Sequence, residues 1–316
     1  MRIVVTSRIP AEIIKALEEN FDVDYHNSNT PLKKEEIMDK IKDAEGLVCP
    51  LSDKIDKEII DGGETLKIIA NYGAGFDNID IEYAKEKGIV VTNAPAPSSA
   101  VSTAELAFAL ILSASRKLSQ AEKNLRKGEF LGWRPTYFLG NQIKGKTLGI
   151  IGMGNIGKTL AKRALAFEMN VIYYSRNRKE DIESEGVVYK EKEDVIKESD
   201  FLSIHTVFSP ELHHMIGKEE FDKMKSSAYF INAARGPLMN ESELVEALKE
   251  GAIQGAALDV YEFEPKVSKE LLELDNVTLI PHLGNATVEA RMEMGRACVD
   301  NLLDYKNGET PRNKVN

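Results

Sequence analysis

Four short segments of this 316-residue chain carry side chains able to bind an anion or move a proton. They are His205-Thr206, Ala233-Ala234-Arg235-Gly236, Asp259-Val260-Tyr261-Glu262-Phe263-Glu264-Pro265 and Pro281-His282-Leu283-Gly284. Each continues a short apolar run that reads as a strand: Phe201–His205, Ala228–Asn232, Ala256–Val260 and Val277–Ile280. The guanidinium of Arg235 is a planar fork suited to a carboxylate. His282 is of the type that exchanges protons near neutral pH, and an acid beside it fixes its tautomer. In an open parallel sheet, ligands bind outside the carboxyl ends of the strands, so residues distant in sequence collect on one edge. Taken singly, Arg235 could be a surface ion pair, Glu264 a solvated acid of the run Glu262–Glu264, and His282 a satisfied loop residue. Together on one sheet edge they point to a catalytic site. Of the chain's five histidines, His26, His213 and His214 read as surface residues.

Gly152-Met153-Gly154-Asn155-Ile156-Gly157 fits G-x-G-x-x-G, with the strand Thr147–Ile151 before it and a helix, Lys158–Phe167, after it. Gly152 permits the tight turn, Gly154 lets the backbone approach a pyrophosphate, and Gly157 lets helix and strand pack closely. The helix N-terminus offers unpaired N–H groups to phosphates. The next strand, Val171–Ser175, ends in Tyr173-Tyr174-Ser175-Arg176-Asn177-Arg178-Lys179. No acid stands there to take the ribose hydroxyls of NAD. Arg176 can instead pair with a 2′-phosphate, Ser175 can donate a hydrogen bond, and Arg178 can add charge. The expected cofactor is therefore NADP(H), with NAD(H) possible.

Behind these residues, β-branched runs alternate with helical patterns, the form of an α/β protein with parallel sheets. A first series of strands reads as Ile3–Ser7, Val23–Tyr25, Gly46–Cys49, Lys67–Asn71 and Ile89–Asn93. Helical stretches lie between them at Pro10–Glu19, Lys33–Lys42 and Ile79–Lys87. Pro95 and Pro97 break the pattern, and Ser98 or Ser99 is positioned to cap a helix over Val101–Ser115. The second series begins at Lys146 and includes a weak strand at Val187–Tyr189. Gly128–Asn141 is less regular and holds the single tryptophan, Trp133. A last helix, roughly Thr287–Asp304, could pack on the second domain or return to the first. Length suggests two domains, and composition is that of an ordinary globular protein: 42% hydrophobic and 29% charged. A net charge of -10 argues against a nucleic-acid surface. No apolar run approaches the ~18–20 residues of a membrane span, so no membrane partner is expected. The start of the chain lacks the pattern of a signal peptide. Cys49 and Cys298 form no disulfide framework, and no metal-ligand spacing is visible. The cytoplasm is the expected compartment.

Five pieces carry a family resemblance: Gly-Ala-Gly-Phe-Asp-Asn-Ile-Asp (73–80), the glycine fingerprint, Asn-Ala-Ala-Arg-Gly (232–236), Leu-Asp-Val-Tyr-Glu-Phe-Glu-Pro (258–265) and Pro-His-Leu-Gly (281–284). In that order, and spanning most of the chain, they resemble the D-2-hydroxyacid dehydrogenase family, and most of all its glyoxylate/hydroxypyruvate reductase branch. The segment Pro-Ala-Pro-Ser-Ser (95–99) departs from that branch's usual hinge. The resemblance implies hydride transfer between a nicotinamide and C2 of a small 2-keto or 2-hydroxy acid of the glyoxylate, hydroxypyruvate or pyruvate type. It implies that Arg235 holds the substrate carboxylate, that His282 is the acid/base, and that Glu264 pairs with His282. Asp259 is implied to accept a hydrogen bond from the carboxamide, with loop capping as its plainer role. Thr103 is a further candidate beside the nicotinamide, with helix packing as the alternative.

The expected cofactor contacts are thus Thr103, Gly152, Gly154, Asn155, Ile156, Gly157, Ser175, Arg176, Arg178, His205, Thr206, Ala233, Asp259, His282 and Gly284. The turn Asn71–Asp77 exposes backbone N–H groups suited to a carboxylate, with Ala74 and Gly75 as donors. Leu51 forms an apolar wall or packs in the core. Trp133 either reaches a neighbouring site in a homodimer, as the resemblance implies, or is buried. The expected fold is α/β, two doubly wound parallel-sheet domains: a Rossmann cofactor domain over 99–286 and a flavodoxin-like substrate domain from 1–98 plus 287–316, with a cleft between them. Two other functions stay open on the same fold: a phosphite- or formate-type dehydrogenase, and a nicotinamide-sensing binding or corepressor protein.

Overall fold

A computed structural model describes all 316 residues. The chain forms two compact units, Met1–Ser99 with Asn285–Asn316, and Ala100–Gly284.

The first unit is built on β1 (Arg2–Val5), β2 (Asp22–Tyr25), β3 (Gly46–Pro50), β4 (Ile68–Tyr72) and β5 (Val90–Thr92). All are parallel, in the order β2-β1-β3-β4-β5, the flavodoxin-like arrangement. Parallel strands covered on both faces read as nearly continuous apolar runs, which is why this series is visible in the sequence. One face packs Ile37, Ile41, Ile59 and Ile60 from the helices Lys34–Ile41 and Lys57–Gly62. The other packs Ile13 and Leu17 from Ala11–Glu18 together with Met294, Cys298 and Leu302. Those last three belong to the helix Val288–Lys306, so the final helix returns to the unit formed by the start of the chain. Thr287 caps it by accepting the N–H of Ala290. The polar tail then bridges Lys314 to Thr92, shielding the edge of β5.

The second unit contains β6 (Thr147–Ile151), β7 (Asn170–Tyr174), β8 (Val188–Tyr189), β9 (Phe201–Ile204), β10 (Tyr229–Asn232), β11 (Gly255–Leu258) and β12 (Val277–Leu279). They form one parallel sheet in the order β12-β11-β10-β9-β6-β7-β8, the Rossmann order with a seventh strand. Side chains alternate between the faces with period two. Ile150, Phe201 and Ile231 lie in one core, and Ile151, Leu202 and Phe230 in the other. Chain order reverses at β6, between β9 and β7, and this is the switch point where ligands bind in such sheets.

Three local readings differ from the structure. The helix after the proline break runs Pro97–Arg116, because proline is accepted at a first helical position. Ser98 therefore lies in the first turn, and its hydroxyl donates to Glu293 at 2.7 Å. This helix is long and apolar enough to cross a membrane by length and composition, although no uninterrupted apolar run marks it. Half of its apolar window is buried, and Ala104, Ala107, Phe108 and Ile111 lie in the second unit's core. A further helix, Leu118–Arg126, follows a left-handed Lys117. Beyond it, Trp133 is not buried: it is 83% exposed.

Candidate active site

β6 runs into Gly152, whose φ of +102° is open to glycine. A Cβ there would also come within 2.5 Å of the His205 carbonyl, so the switch point tolerates no side chain. A Cβ on Gly157 would strike the Gly152 carbonyl oxygen. The helix starts at Asn155 rather than Lys158, so Asn155 and Ile156 form its first turn, with Gly154 at the cap and no side chain capping it. Nothing lies within 4 Å of the place a Gly154 Cβ would occupy. Uncapped helix N–H groups beside open space fit a dinucleotide pyrophosphate.

β7 ends at Tyr174 with no acid following. Arg176 is exposed, and Ser175 Oγ donates to the carbonyl of Asn177 at 2.7 Å. Arg178, expected to add charge here, is already paired. Its guanidinium forms a bidentate pair with Glu183, from Nε at 3.1 Å and Nη2 at 2.5 Å. Glu183 lies outside the strand-end pattern and escaped the sequence reading.

After β9, the His205 ring is buried, with Nε2 2.8 Å from Ser203 Oγ and Nδ1 lacking any partner. Burial pushes its pKa down to about 4, so the ring is neutral at neutral pH. Thr206 follows it, half-buried. A buried ring nitrogen without a partner at the switch point is a further feature that a bound cofactor would suit.

After β10, Ala233 is buried and the turn is shaped by Asn232. The Asn232 amide donates to the Arg235 carbonyl at 3.0 Å, and its oxygen accepts the Ala234 N–H at 3.0 Å. Arg235 Nη1 donates to the Ala234 carbonyl at 2.8 Å.

Asp259 and His282 follow β11 and β12. Asp259 is fully buried, and its carboxylate accepts the N–H of Leu283 at 2.5 Å and of Gly284 at 2.8 Å. Its carbonyl accepts the N–H of His282 at 2.9 Å. Burial holds the Asp259 carboxyl above its ordinary range, against the pull of those two amides and of His282. Gly284 sits where an added Cβ would lie 3.3 Å from both Asp259 Oδ2 and Thr103 Oγ1, so these three residues share one corner. His282 has a left-handed backbone, φ +52°, uncommon for a residue with a side chain. Its Nδ1 lies 2.8 Å from Glu264 Oε2, while Glu264 Oε1 accepts the N–H of Tyr261 at 2.9 Å. Burial pushes Glu264 up. The His282 hydrogen bond and charge, the Tyr261 amide and the charge of Arg235 outweigh it, leaving the carboxyl below its ordinary range.

In the first unit, Leu51 follows β3 and lies against Gly73, where a Cβ would meet it at 2.6 Å. The carbonyl of Ala74 accepts from Asn93 Nδ2 at 2.8 Å, and that of Gly75 from Asn71 Nδ2 at 2.6 Å. Asn71, Asn93 and Asn232 hold these candidate loops and were missed in the sequence. Their only signal is an amide beside a strand-end turn.

Two features lie apart from this constellation. A cavity of about 920 Å³ in the second unit is bounded by the helix Leu118–Arg126, residues 127–138 and Leu272–Leu279, and none of the candidate residues lines it. His213, His214 and Glu262 bring ligand atoms within 4.8 Å of one another, a grouping that sequence spacing did not reveal. His214 is not a free surface residue, since its Nε2 meets Glu262 at 2.7 Å. The His213 and His214 rings stack at 3.8 Å and 29°.

Residues 108–284 match the family described as D-isomer specific 2-hydroxyacid dehydrogenase, NAD binding domain. A protein of Staphylococcus haemolyticus named as a 2-hydroxyacid dehydrogenase is 46% identical over 316 residues, covering 100% of this chain and 99% of its own length. The crystal structure of a protein from Thermus thermophilus is 37% identical, with a TM-score of 0.93 and all of both chains covered. That of an NADPH-dependent glyoxylate/hydroxypyruvate reductase from Sinorhizobium meliloti, in complex with NADP and malonate, is 30% identical, with a TM-score of 0.86 over 99% of this chain and 96% of that one. Sheet order, fingerprint and whole-length similarity agree: this chain belongs to the D-isomer-specific 2-hydroxyacid dehydrogenase family, oxidoreductases with a nicotinamide-dinucleotide-binding domain that act on small 2-hydroxy and 2-keto acids.

Proposed function

We propose that the protein reduces a small 2-keto acid of the glyoxylate, hydroxypyruvate or pyruvate type, reversibly and with preference for NADPH. The observation that carries this reading is the His282–Glu264 pair on a loop pinned by Asp259. In the reductive direction, the Arg235 fork pairs with the substrate carboxylate and orients the neighbouring keto carbon. Glu264 holds the Nδ1 hydrogen of His282, so Nε2 is the atom that delivers a proton to the carbonyl oxygen and recovers it in reverse. The carboxylate also stabilises the imidazolium between turnovers. When bound, the nicotinamide supplies or accepts the hydride at C2.

The unit around β6–β12 is assigned to the cofactor, through the fingerprint, Thr103, Ser175, Arg176, His205, Thr206, Ala233, Asp259 and Gly284. The unit formed by both chain ends is assigned to substrate, through Leu51, Ala74 and Gly75. The missing acid after β7 and the exposed Arg176 support NADPH over NADH, as does the NADPH-dependent neighbour from Sinorhizobium meliloti. We assign the protein to the cytoplasm as a homodimer. The exposed apolar side chains between Leu118 and Leu139 support the dimer.

A steady-state panel tests the reading: glyoxylate, hydroxypyruvate, pyruvate, phenylpyruvate and branched keto acids, each with NADPH and NADH. The expected result is turnover of the smallest acids with higher kcat/KM for NADPH. Tight NADPH binding without oxidation by any of them would favour a cofactor sensor instead.

A further inference from the structure

The loop after β7 does more than present basic residues. Tyr173, buried in the strand, donates its hydroxyl to Glu183 Oε1 at 2.7 Å and accepts the N–H of Lys179 at 2.7 Å. Arg178 closes on the same carboxylate from Nε and Nη2 and lies over the Tyr189 ring, 5.2 Å from its centroid. The Glu183 side chain is 19% exposed and that of Arg178 is 61% exposed. Arg178 and Tyr173 hold the Glu183 carboxyl below its ordinary range, so it is charged at neutral pH. Lys158, on the first turn of the fingerprint helix, is paired likewise with Asp181. Much of the positive charge around this loop is therefore already matched.

We propose that Glu183 sets the strength of the cofactor preference: it occupies the Arg178 fork and leaves Arg176 as the arginine that reads a 2′-phosphate. The inference rests on the NADPH reading above. A guanidinium fork that is bidentate to a carboxylate cannot offer the same two N–H groups to a phosphate. An exposed ion pair by itself is weakly held, but the Tyr173 hydroxyl and the Tyr189 ring add to this one.

The test is cofactor selectivity in Glu183→Gln, which removes the charge and keeps an oxygen for Tyr173. The ratio of kcat/KM for NADPH to that for NADH should rise about tenfold, the scale of one gained charge-assisted hydrogen bond. The change should fall on KM for NADPH, not on KM for NADH or on kcat. The double variant Glu183→Gln/Arg178→Ala should lose the gain. Kd values for both nucleotides, from nicotinamide fluorescence, give the same comparison without turnover. Glu183→Ala is the second variant should the glutamine protein fold poorly. A ratio unmoved in both Glu183 variants, or a gain that survives loss of Arg178, overturns the proposal. Arg176→Ala separates the two layers. If its ratio does not fall while Glu183→Gln still raises the ratio, the assignment of Arg176 fails and the Glu183–Arg178 clamp stands.

Discussion

His282 Nδ1 lies 2.8 Å from Glu264 Oε2, and Glu264 is itself held through Oε1 by the Tyr261 amide. The carboxylate is fixed from both sides, so in the proposed mechanism it holds the Nδ1 hydrogen of His282 and leaves Nε2 for proton transfer. His282→Ala should lower kcat by roughly 10²–10⁴, the usual worth of a general acid. Glu264→Gln should cost less and alter the pH profile. The folded pKa of Glu264 is depressed. The contribution of its carboxylate is therefore complete above the ordinary value of 4.5 and lost as pH falls through the lower folded value. Rate–pH profiles should show an acid limb in the parent that is absent from Glu264→Gln.

Arg235→Lys should raise KM for the keto acid far more than it lowers kcat, because the charge survives and the two-pronged fork does not. Saturation kinetics of both proteins at fixed NADPH make the comparison. Equal KM values would remove Arg235 from carboxylate binding.

Asp259→Asn should destabilise the protein and slow it. Both carboxylate oxygens accept loop amides, and an asparagine in the same place offers one oxygen and turns an NH2 toward the other N–H. A buried unsatisfied donor costs about 1–3 kcal/mol. Thermal unfolding should record the lower Tm. The fall in kcat should exceed any change in KM for NADPH if the main effect is displacement of His282.

His205 makes stability depend on pH in a different window. Burial lowers its pKa from 6.5 to about 4, so the unfolded chain takes up the proton first. Stability is complete above about 6.5, declines as pH falls, and has lost the full contribution at about 4. At 1.36 kcal/mol per pH unit this amounts to about 3 kcal/mol. Urea midpoints measured across that range should fall less steeply in His205→Gln than in the parent.

Leu131 is 78%, Trp133 83% and Leu139 61% exposed. Side chains of this size on one segment exceed what a free surface needs. Leu131→Asp with Trp133→Ser should shift sedimentation velocity from dimer to monomer. A parent that is monomeric at micromolar concentration would refute the dimer.

How much of this was legible in the sequence depends on how local each requirement is. The fingerprint could be read because its demands are local. Gly152 must adopt a positive φ and Gly157 must let two backbones meet, and glycine alone satisfies both. The strands could be read because sheets covered on both faces need unbroken apolar runs. Their ends located Arg235, Asp259, Glu264 and His282 because ligands gather at the carboxyl ends of parallel strands. Partner choice was not legible. Asp259 meets Leu283 and Gly284 only because β11 and β12 are neighbours, 24 residues of separation collapsing into one ladder. Arg178 looks like free charge until the short helix after it turns Glu183 back onto the guanidinium. The last helix has a modest apolar face that could suit either unit, and contact with Ile13 and β4 decided the matter. Sequence by itself determined which residues are candidates for binding dinucleotide and substrate, because residue type and strand position carry that. The tertiary structure alone decided which charges stay available and which backbone holds the histidine, because hydrogen bonds are allotted between elements that meet only when the sheet is assembled.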